Sequence, residues 1–184
     1  YNESFQEVFN LDLSVLINNV GWTELKTYDE HSGQSIQDHI NVNVVPQAIL
    51  TSMFLKQLAG RSGKKSAIIN LSSFASMCQT RKFITYNAVK TFNNTHSKLV
   101  HYELGHCIDS ISIKPMWVET PLSKTKENWL NCISVDTLCE AILKQIGHDI
   151  ETFGAARHEW QANLFLRVPN ILLKFRGMRS NFTY

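Results

Sequence analysis

The 184-residue sequence predicts an α/β fold, an open parallel sheet with helices on both faces. Three observations carry that prediction. Residues 14–20, 66–73 and 108–114 are short apolar runs with the length of buried strands. The stretches between them carry apolar residues near helical spacing. Each run ends in polar or turn-forming residues, respectively Asn18-Asn19-Val20-Gly21, Ser72-Ser73 and Lys114-Pro115. That is where such a sheet places its ligand.

In chain order, residues 1–10 are mixed and suit a short helix or helix end. Residues 14–20 form the first strand, and Gly21 after it permits a close backbone approach to a ligand. Residues 22–32 are a polar and aromatic loop. Residues 35–58 read as one long helix, with Ile36, Ile40, Val44, Ile49, Met53 and Leu58 along an apolar stripe. Pro46 inside it predicts a kink or boundary. A basic turn, 60–65, leads into the second strand, 66–73. A loop over 74–83 precedes a helix over 84–104, with Val89, Phe92, Leu99 and Leu104 turned inward and Gly105 as its stop.

The third strand is 108–114. Residues 117–129, with Pro121 and Asn128, read as a lid-like loop. An amphipathic helix over 135–146 has Asp136 near its start and Gly147 at its end. Residues 150–155 suit a last short strand. Residues 158–175 are apolar on most sides, interrupted by Pro169 and followed by Arg176 and Arg179 beyond Lys174. A core or dimer-packing helix and a membrane-surface or re-entrant helix are both open there, since basic residues beside an apolar helix suit an anionic surface. The chain thus divides into a sheet domain over 1–155 and an apolar helical extension of it over 156–184.

The chemistry centres on Tyr86 and Lys90. Four apart, they share a helix face. Ser73 stands thirteen residues before Tyr86, at a strand end. A free phenol titrates at about 10, and a cation one turn away favours the phenolate and lowers that value. A hydroxyl across the gap can hold a carbonyl oxygen. This set suits moving a proton on or off an oxygen while another agent supplies hydride. The pair alone is a weak signal, because chance supplies one in roughly a third or a quarter of chains of this size. Asn43, just before Pro46, is an amide placed to free a backbone carbonyl for a water. His96, His101 and His106 are five apart, which turns each about 140° from the last on a helix. That scatters ligands, so a metal site is rejected.

Composition sets further bounds. A net charge of +2 gives no argument for a nucleic-acid partner. Cys78, Cys107, Cys132 and Cys139 have no metal or redox-motif spacing and read as free thiols of a reducing compartment. No apolar run has the length of a membrane span, and no signal peptide is visible. The Asn-x-Ser/Thr triplets are at chance level, and Asn70 lies in a predicted buried strand.

Taken together, the motifs resemble the short-chain dehydrogenase/reductase family. Asn18-Asn19-Val20-Gly21 is similar to its Asn-Asn-Ala-Gly motif. Ser73 and Tyr86-Asn87-Ala88-Val89-Lys90 match its catalytic Ser and Tyr-x-x-x-Lys at the usual spacing. Asn43 falls where the family has its fourth catalytic residue, and residues 115–120 are similar to Pro-Gly-x-x-x-Thr, with Met116 in place of glycine. The resemblance implies a Rossmann-like doubly wound parallel sheet and an NADPH-dependent carbonyl reductase. Ser73 would orient the carbonyl and Tyr86 donate the proton. Lys90 would lower the Tyr86 pKa and hold ribose hydroxyls, and Asn43 would place the water of a proton relay. Asn18 and Val118 would touch the cofactor, and Thr120 would reach its phosphate or carboxamide.

The run Leu-Ile-Asn-Asn-Val-Gly, and residues 147–154 followed by His158, resemble the endoplasmic-reticulum branch. That branch holds 17-beta-hydroxysteroid dehydrogenases and very-long-chain 3-oxoacyl-CoA reductases. It implies a lipid carbonyl substrate, NADP as cofactor and an endoplasmic-reticulum membrane location, with the cytoplasm as the alternative. NAD against NADP stays open, because the discriminating residues would follow a strand not present here.

The family's Gly-rich turn, Thr-Gly-x-x-x-Gly-x-Gly, is absent; the eight glycines never cluster this way. By the family's strand order, 3-2-1-4-5-6-7, residues 14–20 would be strand 4 without its neighbour, strand 1. That predicts an exposed apolar edge. With a start at Tyr1 rather than methionine, the expectation is the C-terminal portion of a longer enzyme, or a truncated product, unable to hold the dinucleotide alone. The competing reading is a decayed reductase serving as a non-catalytic binding or scaffold protein. A hydrolase is discarded, for want of a Gly-x-Ser-x-Gly elbow.

Overall fold

The computed structural model describes residues 3–167. A 3-10 segment, Glu3–Asn10, leads to strand β1 (Val15–Asn18). Helices α1 (Gly33–Asn43) and α2 (Val45–Ala59) precede β2 (Ser66–Leu71). The long helix α3 (Ile84–Leu104) is followed by β3 (Ile108–Ile113), β4 (Trp117–Val118) and β5 (Cys132–Ile133). Helix α4 (Val135–Leu143), strand β6 (Glu151–Thr152) and helix α5 (Ala156–Arg167) complete the described chain.

The main sheet runs β1-β2-β3-β6, all parallel. Successive residues of β2 serve opposite faces, as the strand period requires. Ile68 packs with Phe54, Leu58 and Ile108 on the α2 side. Ile69 packs with Ile111, Ile113, Leu138 and Ile142 on the α4 side. Strand β1 has β2 on one side and no partner on the other among the described residues. Val15 and Ile17 are exposed there, which is the apolar edge the sequence led us to expect.

Several elements differ from expectation. The helix over 35–58 is two helices, broken at Val44 (φ −107°, ψ −54°). Pro46 cannot donate to the preceding turn, but it is tolerated in the first turn of α2. Helix α1 starts earlier than expected, because Ser32 caps it by accepting the Ser35 N–H at 3.1 Å. Helix α4 is capped by Ser134 rather than started by Asp136, and it ends at Leu143. The expected lid loop carries strand β4, which pairs in parallel with β5 across the lid. Strand β6 is short. It gives way to Gly154 at φ +84°, where a side chain would strike Leu138.

The inward faces of α1, α2 and α3 are the largest departure. Ile40, Ile49, Phe92 and Leu99 are exposed. Leu58 and Val89 are buried as expected, but the buried polar positions are Ser35, His39, Asn43, Gln47 and Thr51, spaced by four, and Thr85, Lys90, Asn93 and Ser97 on α3. They face polar residues of the sheet. Asn18 Nδ2 donates to Asn70 Oδ1 at 2.8 Å and to Thr51 Oγ1 at 3.3 Å. Asn70 Nδ2 donates to Ser97 Oγ at 2.9 Å, and Ser110 Oγ donates to the Ser97 carbonyl at 3.0 Å. Buried polar groups are tolerated when paired. Here the pairing runs from β1 across β2 and β3 to α3.

Candidate active site

Three of the sequence-selected side chains meet where β2 ends and α3 begins. Ser73 caps the turn Phe74–Met77, its Oγ accepting the Ala75 N–H at 3.1 Å. Tyr86 sits in the first turns of α3 and hydrogen-bonds the Ser73 hydroxyl. Lys90 is buried. Its Nζ lies 5.7 Å from the Tyr86 ring centroid and donates to the Leu71 carbonyl at 2.8 Å. Ser72 Oγ donates to the Lys90 carbonyl at 2.7 Å, which ties α3 to the end of β2.

Burial governs the electrostatics. It pushes the Lys90 ammonium down from 10.5 to about 8. It raises the Tyr86 phenol above 10.0, with the Ser73 hydrogen bond pulling the other way. The expectation that Lys90 lowers the Tyr86 pKa is therefore corrected. In this structure the ammonium is turned onto the Leu71 carbonyl, and desolvation of the phenol outweighs it.

Asn43 borders the same pocket. Its Oδ1 and the Lys90 Nζ each lie 3.4 Å from the point a Gly21 side chain would occupy, so glycine leaves that space open. Its amide is committed to the backbone: Oδ1 accepts the Trp22 N–H at 3.1 Å, and Nδ2 donates to Trp22 O at 2.9 Å and His39 O at 2.8 Å. The Asn43 carbonyl accepts from Asn93 Nδ2 at 2.8 Å. The freed carbonyl expected at the helix break thus already has a protein donor. One lone pair remains for a water.

The expected cofactor contacts are dispersed. Asn18 is buried at the end of β1, with its Oδ1 lacking a hydrogen-bond partner. Val118 is packed into the core beside Ile113 and Ile133, which leaves its backbone for any contact. Thr120 forms a local turn with Ser123, its Oγ1 accepting the Ser123 N–H at 3.3 Å. A nicotinamide–ribose end fits this ground: the buried amine of Lys90 and the amide of Asn43 border the open space at Gly21, past the end of β1. No residues of the chain provide a pyrophosphate cradle of the Gly-rich type.

Sequence reasoning missed Asn93, three residues past Lys90, which holds the Asn43 carbonyl and Gln47. It also missed His39, fully buried, whose Nε2 accepts the Glu24 N–H at 3.2 Å and so pins the loop after β1. The signal available was the i, i+4 row of polar residues from Ser35 to Thr51. His158 clamps β4: its Nδ1 accepts the Met116 N–H at 3.3 Å and its Nε2 donates to Trp117 O at 3.1 Å. Burial lowers its pKa, consistent with one donating and one accepting nitrogen.

Known proteins share both sequence and architecture with this chain. The family model described as short chain dehydrogenase matches residues 2–131. A "Putative steroid dehydrogenase 4" of Caenorhabditis elegans is 28% identical over 178 residues, 94% of this chain and 67% of that protein. A human "Very-long-chain 3-oxoacyl-CoA reductase" is 28% identical over 167 residues, 87% of this chain and 52% of that protein. The chain therefore spans about half to two-thirds of the length of these relatives. A crystal structure of a short chain dehydrogenase from Burkholderia cenocepacia in complex with NADP superposes with a TM-score of 0.76 at 20% identity, covering 93% of this chain and 74% of that one. The parallel sheet with flanking helices is the Rossmann-type arrangement of such enzymes. With the family model matched over most of its length, this chain belongs to the short-chain dehydrogenase family.

Proposed function

We propose that the chain is the catalytic portion of an NADPH-dependent reductase of lipid carbonyls, either a 3-oxoacyl-CoA or a 17-ketosteroid. The observation that carries this reading is the meeting of Ser73, Tyr86 and Lys90 beside Asn43. The names of the relatives, steroid dehydrogenase and very-long-chain 3-oxoacyl-CoA reductase, support the substrate class.

A reduced nicotinamide, when bound, supplies the hydride. The chain's residues handle the oxygen. The Ser73 hydroxyl holds the substrate carbonyl oxygen next to the Tyr86 hydroxyl. Burial keeps Tyr86 protonated at neutral pH, so it is ready to act as an acid. The buried Lys90 amine would hold the ribose hydroxyls of the cofactor; lowering of the Tyr86 pKa is not assigned to it. Asn43 steadies the loop at Trp22 and Gly21, and its carbonyl keeps one lone pair for a relay water. Asn18, the Val118 backbone and Thr120 line the cofactor side.

Association with the endoplasmic-reticulum membrane, the cytoplasm being the alternative, extends the same reading. Self-association as a homodimer is supported by the exposed Ile40, Ile49, Phe92, Leu99 and Tyr102 of α1 to α3. The helical extension over 156–184, proposed as a membrane-surface or packing element, is described as far as Arg167; the rest lies outside the described residues. A second reading, a non-catalytic scaffold, is favoured by the missing Gly-rich turn and opposed by the intact Ser73–Tyr86–Lys90 cluster.

Tyr86→Phe in the full-length protein separates the two. Loss of the general acid should cut the reduction rate by about 10²–10⁴-fold. Turnover unchanged by the substitution would refute the assignment.

A further inference from the structure

The loop over residues 74–83, between Ser73 and Tyr86, is fastened to α3 by side chains that the proposed chemistry does not use. Asn87 Nδ2 donates to the Cys78 carbonyl at 2.6 Å. One turn on, the Thr91 hydroxyl lies 3.1 Å from the Ser76 carbonyl and 2.8 Å from the Asn87 carbonyl, within donating reach of both. Asn87 follows Tyr86 and Thr91 follows Lys90, so the two pairs form adjacent rows on the helix, about 100° apart. One row presents the phenol and the amine, and the other holds the loop. At its near end the loop closes on Ser73, whose carbonyl accepts the Ser76 N–H at 3.0 Å and the Ser76 hydroxyl at 2.7 Å. At its far end it turns through Lys82, a left-handed residue at φ +66°. A lysine held there is strained, and such strain persists only where surrounding contacts impose it. Phe83, which opens α3, gives the helix no side-chain cap.

We propose that Asn87, assisted by Thr91, is a positioning residue for carbonyl reduction: through the loop it keeps the Ser73 hydroxyl set against the Tyr86 hydroxyl. The inference rests on the reductase reading, because it takes those two hydroxyls as the pair that handles the substrate oxygen. Ser73 stands between two anchors. On the β3 side the Phe74 N–H donates to the Pro115 carbonyl at 3.0 Å. On the α3 side the strap relates it to Tyr86 itself, through Thr91 to Ser76 and Ser76 to Ser73. A helical asparagine left to solvent has no such task and is a mediocre helix former. Here the side chain is half-buried, and its Oδ1 is buried without a hydrogen-bond partner among the described residues. That orphan costs free energy, so the amide is kept for its donor. Reacting groups are sensitive to such placement: a shift of about 1 Å can cost about 10²-fold in rate.

The test uses the full-length protein and two readouts. One is NADPH oxidation with whichever of a 3-oxoacyl-CoA and a 17-ketosteroid the protein reduces. The other is tryptic cleavage after Arg81 and Lys82, both exposed in the loop. Asn87→Ala should speed that cleavage and lower kcat about ten- to hundredfold, with KM changed less. Thr91→Val should act in the same direction more weakly, and Thr91→Ser, which keeps the hydroxyl, should match the native protein. Thr91 is exposed, so this pair reports even where Asn87→Ala disturbs folding. If Asn87 works through Ser73, Asn87→Ala should cost less than about threefold in kcat in the Ser73→Ala background. An undiminished loss there would assign the effect to the helix rather than to the loop and overturn the proposal. So would faster cleavage with unchanged kcat, or cleavage that Asn87→Ala leaves unchanged. Normal turnover by Tyr86→Phe would instead sink the reductase reading. The cleavage rates need no turnover, so the two failures are told apart.

Discussion

Burying an ammonium is unfavourable unless polar groups take its hydrogens. Lys90 finds the Leu71 carbonyl, yet its pKa still falls to about 8. The sign of the linkage follows. In the unfolded chain the amine keeps its proton to about 10.5; in the folded chain it releases it near 8. Between those values the unfolded state binds more protons, so this group makes stability rise with pH, and its destabilising effect is fully present below 8. We predict that the melting temperature of the native chain, minus that of Lys90→Met, climbs from about pH 8 to 10.5. A flat difference across that range would contradict the burial seen here. Tyr86 is the complementary case: desolvation keeps it neutral, which suits donation of a proton rather than its removal.

The break between α1 and α2 concerns elements rather than single groups. Pro46 accounts for the missing hydrogen bond, but the geometry is held by Asn93 reaching from α3 to the Asn43 carbonyl and to Gln47 Oε1. Gln47 Nε2 returns a bond to the Asn93 carbonyl at 3.1 Å. Asn93→Ala should leave the buried Asn43 carbonyl and Gln47 amide short of partners and cost about 1–3 kcal/mol. In a domain of this size that is roughly a 2–12 °C lower melting temperature. A drop within one degree, read by calorimetry, would show that the break is held by other contacts. The reason this network was illegible in advance is specific. Ile40, Ile49, Phe92 and Leu99 keep helical spacing, so periodicity pointed them inward, while the sheet offers Asn70, Ser110 and Ser112 to the helices instead.

At the scale of the whole sheet, β1 is an open edge among the described residues, with Val15 and Ile17 exposed. The buried amine and the orphaned Asn18 oxygen sit at its C-terminal end, where an open α/β sheet binds its ligand. On the proposed reading the 184 residues would carry one side of a dinucleotide site, and their sequence has no Gly-rich turn for the pyrophosphate. We predict that these residues alone bind NADPH weakly, with no saturation at micromolar concentration in a fluorescence titration. Saturation there would show that the cradle can be dispensed with.

The sequence by itself determined the positions of the four strands of the main sheet, the α/β class and the family, and singled out Ser73, Tyr86 and Lys90 as candidates, because chain-local spacing is enough to record them. The pairing of β4 with β5 and the polar seam from Asn18 to Ser97 join residues fifteen or more positions apart. Only the tertiary structure decided those, and with them the direction of the Tyr86 shift. A pKa reflects how much water surrounds a group and where its neighbour's charge points, and no residue spacing encodes either quantity.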